Sequence, residues 1–256
     1  AFNLDRRFQL ARTNGIEALC LCMGIGCNAA GVISARIIES PEERRAAVLT
    51  NVFMPCNGRF PLIIMLSVMF FTAGRFTSLV SAISVLGALA AGTALTLAVT
   101  KILMRGEKTS FILELPPYRK PKIGQIIVRS VKDRILFVLS RALMAAVPAG
   151  IIIWFLKNIF VGGTPLISCI SNFFDPLGRL MGLDGCILTG FILGMPANEI
   201  VLPLTAVMYG GEGSIGEILT NNGWNVKTAL CTILFCIFHF PCTTTLLTIK
   251  KRNGKS

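Results

Sequence analysis

Two stretches of this chain set glycine, proline, thiol, amide and charge in the middle of segments otherwise apolar enough to enter a membrane. They are Gly24-Ile25-Gly26-Cys27-Asn28-Ala29-Ala30-Gly31 and Pro55-Cys56-Asn57-Gly58-Arg59. In hydrocarbon an unsatisfied polar group is costly, so such interruptions persist where they line a cavity or find partners on neighbouring helices. Uninterrupted spanning helices are therefore excluded at these places, and broken helices or re-entrant hairpins remain. Related punctuation returns near the other end as Gly194-Met195-Pro196-Ala197-Asn198-Glu199 and Phe240-Pro241-Cys242-Thr243-Thr244. The chain reads as two versions of one device.

Composition agrees with a polytopic membrane protein. The chain is 53% hydrophobic and 15% charged, with a mean hydropathy of +0.69, a profile foreign to soluble domains. The net charge of +12 does not indicate nucleic acid: the basic residues collect in short loops between apolar runs and lack interleaved aromatics. The nine cysteines sit mostly in or beside apolar segments and form neither CxxC pairs nor zinc spacing, and His239 is the single histidine. The chain begins at Ala1 without a signal-peptide pattern, since Asp5, Arg6, Arg7 and Arg12 break up its first dozen residues. It reads as a piece of something longer.

Taken in order, the run from Ile16 to Ile38 splits into halves too short to cross a bilayer, which needs about 20 helical residues. This predicts a first re-entrant hairpin. The run from Ala46 to Phe71 is long enough to cross but is broken midway by Pro55 to Pro61, whereas Phe76 to Met104 reads as an ordinary span. Eight Lys or Arg between Arg105 and Arg134 mark a cytoplasmic loop, within which Ile123 to Val131 reads as an amphipathic interfacial helix. Ile135 to Phe160 is the next predicted span. The segment from Val161 to Gly185 carries Asp175, Arg179 and Asp184 and is placed outside. Cys186 to Tyr209 is a second hairpin, and Val226 to Ile249 is a span broken at Pro241-Cys242 before a basic tail.

This layout puts every strongly basic segment, including the C-terminus, on the cytoplasmic side, with the two hairpins entering from opposite faces. The predicted fold class is therefore an all-α polytopic membrane protein, an inverted-repeat transporter-like bundle with two re-entrant hairpins and broken transmembrane helices. Residues 1–104 form the first Gate half, 105–165 a connecting region with the basic loop and one span, and 166–256 the second Gate half with the basic tail.

In such bundles the broken ends converge near the midplane, so the candidate site residues are those at the breaks. Cys27, Asn28, Cys56, Glu199 and Cys242 are the candidate metal ligands; Asn57, Arg59, Asn198 and Thr243 are candidates for the pathway. Thiols mixed with amide oxygens and a carboxylate suit a borderline transition metal better than sodium or magnesium. Glu199 is the sharpest candidate because a carboxylate in an apolar segment is expensive. Arg59 is read as neutralising that carboxylate, binding an anion or snorkelling. His239 lies beside a break, where a lone histidine is more often a hydrogen-bonded core residue than a ligand. Gly254-Lys255-Ser256 lacks the earlier glycine and the strand context of a P-loop.

Several ordered motifs resemble the ferrous iron transport protein B (FeoB) family. Gly26-Cys27-Asn28, Ile33-Ser34-Ala35-Arg36, Asn51 through Cys56 and Gly58-Arg59-Phe60-Pro61 resemble its first Gate segment. Leu115 to Pro121 resembles its connecting region, and Gly190 through Glu199 with Pro241 through Leu246 its second Gate. Ala29-Ala30 stands where many members have Val-Pro, and Asn198 where many have Lys. The resemblance implies Fe2+ uptake across the cytoplasmic membrane of a prokaryote, with Cys27, Cys56 and Cys242 as metal contacts and Glu199 as a Gate carboxylate. It implies a transporter domain and not an enzyme, no nucleotide bound by these residues, and GTP hydrolysis on a domain or chain elsewhere. The implied partners are the lipid bilayer, a GTPase domain or small accessory protein on the cytoplasmic side and further copies of the chain. Transport of a nucleoside or another divalent metal, and a scaffold role without transport, stay open.

Overall fold

The computed structural model describes Phe8 and residues 15–71, 76–104, 123–131, 136–210 and 213–253. Arg6, Arg7, Arg12, the motif from Leu115 to Pro121 and Lys255 lie outside the described residues.

The described chain is helical almost throughout. Helix α1 (Ile16–Gly26) stops at Cys27, whose backbone is extended at φ −159°, and α2 (Asn28–Ser34) begins at the next residue. After a 3-10 turn (Ala35–Ile37), Ser40 and Pro41 open α3 (Pro41–Thr50), with the Ser40 hydroxyl accepting from the Glu43 N–H as its N-cap. A second 3-10 turn (Asn51–Phe53) and an unwound stretch lead to α4 (Phe60–Phe71), then to α5 (Thr77–Leu103). A helix is present over most of the predicted Ile123 to Val131 segment as α6 (Ile123–Ser130), and α7 (Phe137–Asn158) follows.

Two-residue strands β1 (Phe160–Val161) and β2 (Thr164–Pro165) pair at a tight turn. They lead into α8 (Leu166–Leu180), α9 (Gly185–Leu193), a 3-10 turn (Asn198–Ile200) and α10 (Val201–Tyr209). Then come α11 (Ile215–Asn221), opened by a Ser214–Glu217 capping box, α12 (Val226–Phe238), capped by Asn225, and α13 (Thr243–Asn253). Thus helix, break, helix, followed by a second helix, break, helix, occurs once from α1 to α4 and again from α9 to α13.

By length and composition, Thr77–Leu103 and the broken run Val226–Lys250 are suited to crossing a membrane, with α8 and α9 together a third case if a 109° bend is counted as one span. Helix α8 occupies part of the segment expected only to be an external, charged stretch. Its face toward α9 is small and polar, with Ser171 and Gly178 buried, while Phe173, Leu177 and Leu180 are exposed on the opposite side. Glycine permits the contact. At Gly185 a methyl group would stand 1.9 Å from the Ser171 carbonyl oxygen, and at Gly178 2.8 Å from the Asp184 carbonyl. Asp184 caps α9, accepting from the Ile187 N–H at 2.7 Å, and also takes a hydrogen bond from the Tyr209 hydroxyl. Trp224 Nε1 donates to that hydroxyl at 2.9 Å, tying the start of α9 to the end of α10.

Among the described residues, two larger apolar cores and a small cluster of Phe8, Ala18 and Leu21 against Leu97 make up the interior, and the two larger cores do not follow chain order. One contains Cys20, Val32, Ala35, Ile38, Ala47 and Val48 from α1 to α3, joined by Ile249 from α13. The other joins Leu62, Ile63 and Leu66 of α4 to Ile187 and Phe191 of α9, Val201 and Leu202 of α10, Leu219 of α11 and Ile233 and Ile237 of α12. The downstream half of each broken helix therefore packs in the core of the other half. Helix α5 braces the crossing with Ala88, Gly92, Thr96 and Thr100, which recur every fourth residue on its buried face. A methyl group at Gly92 would meet Pro55 Cδ at 2.7 Å and the Phe53 carbonyl at 2.8 Å, so α5 seats directly on the break between α3 and α4.

Candidate metal-ion site

The first break is a single residue. Cys27 ends α1 by donating its N–H to the Met23 carbonyl at 3.1 Å, and its own carbonyl accepts from Gly31 at 3.0 Å as α2 starts. Asn28 beside it is buried. With its NH2 turned toward them, the Asn28 amide donates to the Met54 carbonyl at 3.1 Å and the Gly24 carbonyl at 3.2 Å, which leaves its oxygen for another partner.

Asn51, not singled out from sequence, sets this corner. Its Nδ2 donates to the Asn28 backbone carbonyl at 2.9 Å. Its Oδ1 occupies the space where side chains on Gly24 and Gly31 would stand, 2.3 and 2.4 Å from their would-be methyl carbons. Those glycines are required by close approach, since any larger residue displaces Asn51.

The second break runs from Met54 to Arg59. The Cys56 carbonyl accepts the Arg59 N–H at 2.8 Å, turning the chain into α4, and the Cys56 side chain is buried. Cys56 lies within electrostatic range of both Cys27 and Cys242. Asn57 is exposed. A methyl group at Gly58 would lie 3.3 Å from Glu199 Oε1 and 4.0 Å from Cys56 Sγ, so the carboxylate and the thiol flank the same glycine. Glu199 is exposed beside the buried Asn198.

The two remaining breaks bond to each other. The Thr243 N–H donates to the Met195 carbonyl at 3.0 Å. Cys242, half-buried, has its thiol 3.3 Å from Thr245 Oγ1 at the start of α13. His239 is buried among the rings of Phe191, Phe235 and Phe240. Its Nδ1 faces the Cys236 carbonyl at 2.8 Å and so carries the hydrogen, while Nε2 faces Asn198 Oδ1 at 3.4 Å. That is the geometry of a packed, hydrogen-bonded core histidine.

Arg59 is fully buried and donates to backbone carbonyls. The Arg59–Glu199 ion pair, one of the roles open to Arg59 from sequence, is not formed; among the described residues, Asp175 and Arg179 form an ion pair at 2.7 Å.

The structure thus brings the breaks carrying Cys27, Cys56, Cys242 and Glu199 to one region. Among the described residues, however, no three His, Cys, Asp or Glu side chains converge closely enough to hold an ion at once.

Sequence reasoning also passed over Glu17, a buried carboxylate whose Oε1 lies 3.3 Å from Thr50 Oγ1 and 3.1 Å from Thr100 Oγ1. The cost of charge in an apolar run, which marked Glu199, marks Glu17 equally.

The family profile described as nucleoside recognition, Gate, matches residues 121–255, and that described as ferrous iron transport protein B C terminus matches residues 79–133. This chain is a Gate-domain member of the FeoB family.

The Gate chain is 24% identical to the Fe(2+) transporter FeoB of Methanocaldococcus jannaschii over 99% of its own length and 40% of that protein. It is 26% identical to the Fe(2+) transporter FeoB of Staphylococcus aureus over 98% of its length and 38% of that protein. The corresponding protein of Legionella pneumophila is 28% identical over 85% of the Gate chain and 30% of its own length. The Gate chain therefore spans two fifths or less of the curated relatives it matches. No solved structure matches it.

Proposed function

We propose that this Gate chain is the membrane pathway of a ferrous iron transporter in the cytoplasmic membrane of a prokaryote, admitting Fe2+ to the cytoplasm. The observation that carries the proposal is the grouping of the breaks: Cys56 stands in range of Cys27 and Cys242, and Glu199 shares Gly58 with Cys56. Cys27, Cys56, Cys242, the Asn28 amide oxygen and Glu199 replace water on the ion, a donor set suited to borderline Fe2+ and poorly suited to hard cations. Asn57, Asn198 and Thr243 line the approach. Ligation by fewer than three of these side chains at a time keeps binding weak enough for release, and passage then hands the ion from one group to the next.

Residues 1–104 and 166–256 act as inverted Gate halves, with 105–165 connecting them. The hairpins α1–α2 and α9–α10 enter from the cytoplasmic and outer faces respectively. Because each broken helix crosses between two cores, the breaks are the natural hinges for alternating access. A GTPase domain or separate GTPase chain, a small accessory protein and further copies of the chain are the partners this reading accommodates.

The matched profile's description, nucleoside recognition, supports a second reading in which the amides of Asn28, Asn57 and Asn198 hydrogen-bond a base. Anaerobic uptake of 55Fe2+ by full-length protein in proteoliposomes, with excess uridine as competitor, separates the two. The iron reading predicts saturable uptake indifferent to uridine. Uptake of labelled uridine without iron uptake would overturn it.

A further inference from the structure

Among the described residues Arg59 is the largest fully buried side chain, and its guanidinium reaches across both broken helices. Nη1 donates to the Val52 carbonyl at 3.3 Å and the Ile237 carbonyl at 3.1 Å; Nη2 donates to the His239 carbonyl at 3.3 Å and the Phe240 carbonyl at 3.5 Å. Ile237, His239 and Phe240 end α12 and open the last break. A helix that stops inside a membrane leaves its final carbonyls without partners in its own backbone, and lipid offers none. One guanidinium, with donors in a rigid fork, satisfies three of them from the other broken helix.

This contact falls where the two cores exchange their helices. Arg59 opens α4, which packs with α12, while Cys56 three residues earlier belongs to the stretch seated on α5. On the other side, Cys242 follows Phe240 by two residues and leads into α13, which packs with the first core. All of the hydrogen-bond partners of Arg59 are backbone carbonyls, which its two terminal nitrogens take while the buried Nε has none, and no contact reaches Glu199.

We infer that Arg59 is a positioning residue: it ties the two broken helices together and thereby sets the approach of Cys56 to Cys242. The functional part of this inference rests on the proposed iron pathway; the tie itself does not. Lysine keeps the charge but presents a single ammonium, which cannot span the same carbonyls, so Arg59→Lys isolates the fork from the charge.

The test uses full-length protein in nanodiscs, comparing wild type with Arg59→Lys and Arg59→Gln. Dibromobimane, which fluoresces after alkylating two neighbouring thiols, reports the Cys56–Cys242 bridge, located by peptide mass. Wild type is expected to bridge, and both variants to bridge about tenfold more slowly or worse, as expected for loss of a bidentate fork. In liposomes Arg59→Lys is expected to raise the KM for Fe2+ more than it lowers kcat. If Arg59→Gln fails to fold, Arg59→Lys at a wild-type thermal midpoint carries the test. Bridging at the wild-type rate in folded variants overturns the inference, as does a wild type that does not bridge. Arg59-dependent bridging in a protein that takes up no iron overturns the proposed function and leaves the tie standing.

Discussion

Replacing Gly185 with alanine is expected to destabilise the protein by about 3 kcal/mol, at the upper end of what one added methyl costs in a packed interior. The new carbon would stand 1.9 Å from the Ser171 carbonyl oxygen and 2.9 Å from the Asp175 amide nitrogen, both backbone atoms of α8 that no rotamer change can move. Nor can α9 retreat. Its first turn is held by Asp184 accepting from Ile187, by Asp175 Oδ1 accepting from the Gly185 N–H at 3.2 Å, and by the Tyr209–Trp224 pair. Thermal unfolding in nanodiscs checks this, with Gly150→Ala as the control. Gly150 lies in the interior of α7 with open space where its side chain would be, so alanine there should be neutral or slightly stabilising.

Cys56→Ser is expected to carry the largest functional effect. Removing even an outer-shell partner typically costs about 10–100-fold in metal affinity, and a direct ligand should cost at least as much. Cys56 is the thiol in range of both other break cysteines, and it flanks Gly58 together with Glu199. Serine preserves volume closely enough to keep α4 in place, but its hydroxyl is a hard, neutral donor where a soft anionic one is needed. The expected result is loss of anaerobic Fe2+ uptake in proteoliposomes at unchanged thermal stability. Cys231→Ser is the matched control: that thiol lies against Gly182 at the α8–α9 corner, and its replacement should leave uptake intact. Equal uptake by wild type and Cys56→Ser would remove Cys56 from the pathway.

The breaks were legible because they violate the local rules of an apolar helix. Cys27 between glycines, Pro55 ahead of Cys56, Pro196 before Asn198 and Pro241 before Cys242 each announce a stop without knowledge of tertiary structure. The span found as Thr77–Leu103 and the amphipathic Ile123–Ser130 were legible for the converse reason, since their periodicity and length are internal properties.

What escaped depends on distant partners. Arg59 could be flagged as a buried cation, but nothing local says that it caps a helix 178 residues away. Asn51 looks like an ordinary polar residue until Gly24 and Gly31 fold against it. The crossing of α4 and α13 into each other's cores is likewise a long-range outcome that no window of sequence contains. Glu17 is a different case: its cost was visible, and its partners Thr50 and Thr100 lie on two other helices.

The most direct test of the sulfur-containing iron site is X-ray absorption at the iron edge on full-length protein loaded anaerobically with Fe2+. The site proposed here predicts sulfur in the first coordination shell together with oxygen or nitrogen, with the sulfur contribution reduced in Cys56→Ser and the lighter contribution altered in Glu199→Gln. A first shell made of oxygen and nitrogen alone, the same in wild type and both variants, would contradict it.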